Sequence, residues 1–333
     1  MQTTAPSEET KNTRATRTIK DYVGLTLRGI AMGASDIVPG VSGGTMAFIL
    51  GIYEELIDSI RTIGQREFIN AAFRLRIKEA LKIINWPFLV AVASGIGIAI
   101  LTLAGGLEWT LENQPVLLWS FFFGLILGSV ITVSKRVGSW RITVFIGLGI
   151  AVVGAYLLVG AVPAQTPDTW WFLMLSGALA SCAMILPGLS GAFILVLLGK
   201  YEFVLNAVNQ RDIVSIALIA IGAAVGLITA AQILGYFFRR YHDVTVAVLI
   251  GFMLGSLRKV WPWKVDVAWL TDANGDYILS HGERIVSQQH DILPNFSTVA
   301  DVTEFLIAVA LALLGFGVVF LLDHAAARQS KTT

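Results

Sequence analysis

Apolar residues run through this chain in long stretches separated by short polar ones. The stretches at about 87–104, 116–133, 142–162, 213–238, 244–257 and 302–322 approach the ~20 residues that a helix needs to cross a bilayer. Each predicts a transmembrane helix. Two further apolar stretches are interrupted: 22–35 resumes at 45–60, and 170–186 resumes at 190–205. The pieces are too short to span, so each pair predicts a re-entrant hairpin of two half-helices. Between the first hairpin and the first span, Arg61, Arg66, Arg74, Arg76, Lys78 and Lys82 alternate with Phe68, Ile69, Phe73, Leu75, Ile77 and Leu81. That pattern predicts an amphipathic helix lying on a membrane surface.

The two interruptions are copies of one another. Laying Asp36–Glu55 over Met184–Phe203, a constant offset of 148, pairs Ile37, Pro39, Gly40, Ser42, Gly43, Leu50, Gly51, Tyr53 and Glu54 with identical residues. A second echo links Gly124, Leu127, Gly128 and Ser129 to Gly251, Leu254, Gly255 and Ser256. The similarity spans half-domains, as an internal duplication would produce.

Proline lacks an amide proton and glycine tolerates any φ, so Pro39-Gly40 and Pro187-Gly188 end one helix and let another begin almost at once. Unpaired amides at membrane depth survive only inside protein or along a wet cavity. Paired broken helices in matching halves of a membrane protein point to a site near the midplane, with positive helix ends facing an anion.

Composition turns this pattern into a class. Of 333 residues, 55% are hydrophobic and 14% charged, and the mean hydropathy is +0.72, well above a soluble domain. The net charge of +1 gives no reason to expect a nucleic-acid partner. Cys182 has no other cysteine to pair with, so an internal disulfide and a cysteine metal cluster are excluded. The four histidines have no ligand-like spacing, and neither a metal nor a cofactor is expected. The first twenty residues are polar and basic, without the apolar core of a cleavable signal.

Charge also orients the chain. With a cytoplasmic N-terminus and two re-entrant hairpins, 18 of the 24 basic residues fall inside, in keeping with the positive-inside rule. The same parse opens the hairpins to opposite sides, which is what an inverted-topology repeat requires. The expected fold is therefore an all-α polytopic membrane protein with an inverted repeat and two re-entrant hairpins. A disordered cytoplasmic tail covers 1–19. The first half covers 20–162, with a hairpin at 22–60 and the basic amphipathic segment at 61–84. The second covers 163–260, with a hairpin at 170–205. An extracytoplasmic polar loop follows at 261–301, then a last transmembrane helix and cytoplasmic tail at 302–333.

The candidate chemistry lies at the hairpin tips. Ser42, Gly43, Gly44 and Thr45, with Ser190, Gly191 and Ala192, would present amides and hydroxyls suited to phosphate or carboxylate. Small residues that merely let helices approach are the alternative. Glu54 and Glu202 occupy equivalent positions, either as solvated interfacial acids or as gates and proton carriers at two mouths. Arg28 and Asp36 precede the first break, and the two could pair. Arg28 could instead hold an anionic headgroup or snorkel to the surface. Met184 stands where an equivalent of Asp36 would be, so the halves are chemically unequal.

Residues 33–45, Gly-Ala-Ser-Asp-Ile-Val-Pro-Gly-Val-Ser-Gly-Gly-Thr, with their echo at 185–191 and the paired Gly-x-x-Leu-Gly-Ser, resemble the domain-of-unknown-function 368 family. The resemblance covers about 20–260. It implies a bacterial plasma-membrane flippase that returns undecaprenyl phosphate from the outer to the inner leaflet. Its partners would be the polyprenyl phosphate and membrane lipids, with a homodimer left open. Two other functions stay in view. One is an integral-membrane polyprenyl pyrophosphate phosphatase, against which Gly43 stands where an arginine is needed. The other is a small-anion channel or exchanger.

Overall fold

The computed structural model describes residues 17–38, 41–164, 166–269, 277, 279–280, 283–284 and 286–329. Most of the expected 1–19 tail lies outside the described residues, as do Pro39 and Gly40. Helix α1 (Ile19–Ile37) starts where the Asp21 carboxylate accepts the Thr18 N–H at 2.7 Å. It ends two residues before Pro39, which disfavours helical geometry in the residue preceding it.

The return limb of the first hairpin differs from the expectation. It is two helices, α2 (Gly43–Ile49) and α3 (Tyr53–Ile63), rather than one over 45–60. The break is at Gly51, whose φ of +73° is a left-handed conformation that suits glycine. There the Ile52 N–H reaches back to the Ala47 carbonyl at 3.0 Å, a helix-ending bond of the Schellman kind. The amphipathic segment is also two helices, α4 (Arg66–Phe73) and α5 (Ile77–Ile83), parted at Leu75 with φ +54°.

Helix α6 (Trp86–Asn113) follows, then α7 (Pro115–Ser134) and α8 (Ile142–Val159). Pro87 and Pro115 sit in the first turns of α6 and α7, where a missing amide costs nothing. Helix α6 runs past the expected boundary at 104, so Glu108 and Glu112 lie on its last turns instead of in a loop.

The second hairpin repeats the first. It comprises α9 (Trp170–Ile185), α10 (Gly191–Leu197) and α11 (Tyr201–Asn209). Gly199 has φ +62°, the Lys200 N–H reaches Leu195 at 2.8 Å, and α10 and α11 bend by 106°. Helix α12 (Ile213–Arg240) begins with Asp212 accepting the Val214 and Ser215 amides, both at 3.2 Å. Helix α13 (His242–Ser256) follows. The polar loop contains strands β1 (Lys264–Trp269), β2 (Leu279–Ser280), β3 (Glu283–Arg284) and β4 (Val286–Asp291), with β1 antiparallel to β4. Helix α14 (Val299–Gln329) completes the described chain. The fold is thus the expected all-α polytopic one with a small β addition. Among the described residues, α6, α7, α8, α12 and α14 are long and apolar enough to cross a membrane.

Helices pair through small-residue notches, the usual device where lipid supplies no hydrophobic drive for association. In the α1–α6 pair, a Cβ on Gly95 would lie 2.1 Å from the Thr26 carbonyl oxygen. In α9–α12, a Cβ on Gly222 would lie 1.9 Å from that of Met174. The remaining pairs cross between the halves. Gly124 of α7 abuts Ala312 of α14, and its sequence counterpart Gly251 of α13 abuts Leu148 of α8. Helix α14, which the sequence set apart from both halves, therefore takes against α7 the place that α8 takes against α13. The core between them is filled by Phe48, Ile126, Val246, Leu249, Ile250 and Met253.

Candidate functional site

The carboxyl ends of helices leave backbone carbonyls without partners. At the end of α9 these groups are met by the first hairpin. Ser42 Oγ donates to the Met184 carbonyl at 3.3 Å and is 3.5 Å from that of Leu186, while the Tyr53 hydroxyl donates to Ile185 at 3.1 Å. In return, the Gly188 N–H donates to Thr45 Oγ1 at 2.9 Å. The two broken segments are thus bonded directly to one another. Gly44 has no room for a side chain, since a Cβ would lie 2.6 Å from the Ile185 oxygen.

The first tip is also capped from within. Asp36 Oδ1, in the last turn of α1, accepts the Gly43 N–H at 2.7 Å, and Ser42 Oγ accepts that of Gly44 at 3.1 Å. Asp36 therefore joins α1 to α2 across the break. It does not meet Arg28, which is eight residues back on the same helix, about 12 Å of rise.

The two tips differ in exposure. All seven residues of α2 are buried, with Ser42 at 1% and Thr45 at 0%. None of α10 is buried: Gly191 is half-buried and Ala192 exposed, and Ser190 makes no capping bond. In this conformation Ser42, Gly43, Gly44 and Thr45 spend their polar groups inside the protein. Pro187 and Gly188 are buried at the second break, where Gly188 has φ +85°.

The paired acids have different surroundings. Glu54, in the first turn of α3, is 53% exposed and lies 3.7 Å from His242 Nε2 at the start of α13. With Glu55, Asp58, Arg61, Lys82 and Arg239 it lines a cleft of about 1090 Å³. Glu55 is held by Arg17 through two contacts of 2.6 Å and by Asn85 at 2.8 Å. Glu202 is half-buried in the first turn of α11, beside the loop that leads into α9. Tyr53 is 1% exposed, edge-on to Phe48 and Phe238.

Sequence reasoning missed two groups of residues here. Lys200, one of the six basic residues outside the inner count, is buried to 2% exposure. It donates to the Thr166 carbonyl at 2.6 Å and pairs with Asp168 at 2.5 Å. The pair pins the start of the second hairpin to its second bend. Removing one partner of a wholly buried pair costs roughly 3–5 kcal/mol. Asp168 is 61% exposed, so Lys200→Ala is expected to cost about 2 kcal/mol, read as a lower melting temperature in detergent. An unchanged melting curve would mean that the pair holds nothing.

Arg258, Lys259 and Lys264 are the second group, likewise outside the inner count. They gather beside α10 in a crevice shared with Phe193, Gln288 and Asp291. The adjacent basic pair next to Trp261-Pro262-Trp263 was the available signal.

The chain matches a family model described as undecaprenyl phosphate translocase-like over residues 32–278. It is 38% identical over 305 residues to a polyprenyl-phosphate transporter of Vibrio cholerae serotype O1, covering 91% of this chain and 96% of that one. It is 33% identical over 258 residues to a polyprenyl-phosphate transporter of Staphylococcus aureus, covering 71% and 85% respectively. No solved structure matches it.

Proposed function

Since the chain belongs to the undecaprenyl phosphate translocase-like family, named earlier as domain of unknown function 368, we propose that it carries a polyprenyl phosphate across the bacterial plasma membrane. Undecaprenyl phosphate is the substrate, and it moves from the outer to the inner leaflet for reuse in envelope synthesis. The protein acts as a transporter and not as an enzyme. A lipid phosphate has a compact anionic head that needs a sheltered polar path, while its tail stays in the bilayer.

The observation that carries this reading is the unequal exposure of two matched hairpins, α2 wholly buried and α10 only half-buried, with Ala192 exposed. That is the pattern expected of a two-state carrier with one mouth closed. With both termini cytoplasmic, the enclosed tip belongs to the inner side and the open one to the outer side. In the opposite state Ser42 and Thr45 leave the end of α9, and the head passes between residues 42–45 and 190–192. Arg28, Asp36, Glu54 and Glu202 are the charges available to hold the head or to couple its movement.

The test uses purified protein in liposomes carrying a labelled polyprenyl phosphate, with leaflet exchange and phosphate release both followed. Exchange without release, abolished in Ser42→Leu/Ser190→Leu, is the expected result. Release of phosphate from an added pyrophosphate lipid, without exchange, would replace the carrier by a phosphatase.

A further inference from the structure

The crevice beside α10 concentrates positive charge that the described protein neutralises only in part. Lys264 Nζ stands 4.1 Å above the Trp119 ring and donates to the Lys259 carbonyl. Lys259 Nζ lies 5.3 Å from the Phe193 ring of α10. The Arg258 guanidinium covers Tyr156 at 4.6 Å and donates to its carbonyl at 3.4 Å. Aromatic faces and carbonyls hold all three cations, and among the described residues no carboxylate lies within 4.0 Å of any of them. Asp291 lines the same crevice and Asp266 acts on both lysines from nearby, leaving an excess of one positive charge.

Like charges brought together away from water repel one another and lose hydration, so such a cluster is costly unless an anion completes it. Burial pushes the Lys264 amine down to about 7, and the neighbouring Lys259 charge adds to the effect. Lys259 is lowered too, again through burial. The crevice holds about 40 Å³, room for roughly three water-sized groups. That is the scale of one compact anionic group. A guanidinium and two ammoniums supply the forked and point-charge donors that a phosphate oxygen set accepts.

We propose that Arg258, Lys259 and Lys264 form a binding site for a phosphate monoester, on a lipid headgroup or free in solution, at the open flank of the second hairpin. The site deepens the transport reading and rests on it for the identity of the lipid: it is where the head would be captured before reaching Ser190. Phe193 connects the two, since it belongs to the first turn of α10 and faces Lys259.

Amine reactivity tests the site without recourse to transport. Wild-type protein in phosphatidylcholine nanodiscs is trace-labelled with acetic anhydride and its lysines are read by mass spectrometry. The probes are farnesyl phosphate, farnesol and inorganic phosphate. Farnesyl phosphate is expected to lower labelling of Lys259 and Lys264 at least fivefold, with Lys78 unchanged and farnesol without effect. Equal protection by inorganic phosphate would assign the site to the free anion, and weaker protection to the lipid. Protection by neither overturns the proposal. Lys259→Gln/Lys264→Gln should weaken farnesyl phosphate binding at least tenfold, and Lys259→Arg/Lys264→Arg should restore it. Binding equal to wild type in the glutamine variant would remove the crevice while leaving the carrier intact. Protection without leaflet exchange in wild-type liposomes would remove the carrier while leaving the anion site.

Discussion

Gly124→Ala is expected to leave little folded protein. The added methyl would lie 1.8 Å from the Ala312 carbonyl oxygen, with the Ala312 carbonyl carbon at 2.5 Å. Backbone cannot rotate aside as a side chain can, so α7 and α14 must separate along their contact. Overpacking commonly costs about 1–3 kcal/mol and occasionally more; a backbone-to-backbone clash belongs at or above the top of that range. Gly149→Ala is the control, since no atom lies within 4 Å of a Cβ there. It should be neutral or slightly stabilising, because alanine favours helix over glycine by up to about 1 kcal/mol. Monodisperse yield and melting temperature in detergent distinguish the two. If both variants behave alike, close helix approach is not what holds this pair.

Asp36→Ala is expected to lower leaflet exchange of polyprenyl phosphate at least about tenfold. Its carboxylate is the partner of the Gly43 N–H, and an orphaned buried donor costs roughly 1–3 kcal/mol, where 1.4 kcal/mol is a factor of about ten. The penalty falls on the join between α1 and α2, so the enclosed tip would no longer be held in place. Asp36→Asn keeps an acceptor oxygen and loses the charge. Exchange restored by asparagine would assign Asp36 a positioning role. Exchange lost in both, with melting temperature kept by asparagine, would assign the role to its charge. Wild-type exchange in the alanine variant would end the case for Asp36 altogether.

The repeated break was readable from sequence because it is local. Proline, glycine and serine act on the backbone within a few residues, and two copies at one offset mark them. Five of the six spans were readable because lipid demands length and apolarity; the sixth, expected at 244–257, is the 15-residue α13, too short to be counted with them. The second bend was not read, although Gly51 and Gly199 stood in the matched alignment. A left-handed glycine ending a seven-residue helix has the same composition as one packed inside a longer helix. The self-capping of the first tip was hidden too, since Asp36 and Gly43 meet only after the chain reverses between them. The basic crevice depends on how β1, α10 and the end of α13 come together, which no window of sequence contains. Strand β1 left only the faint alternation of Val265 and Val267.

The pairing of α7 with α14 bears on how the protein is made. Helix α7 ends at Ser134, and its partner α14 does not begin until Val299. While the ribosome works through the intervening residues, the notch at Gly124 faces lipid or a chaperone rather than its mate. Helix α7 therefore lacks its partner until the last helix is made, and α8 lacks α13 until most of the chain is made. A chain stalled before α14 would hold an unfilled seam, a mark by which membrane proteases could recognise unfinished copies. Split after α8 and expressed as two fragments, the protein should assemble only when both are present together.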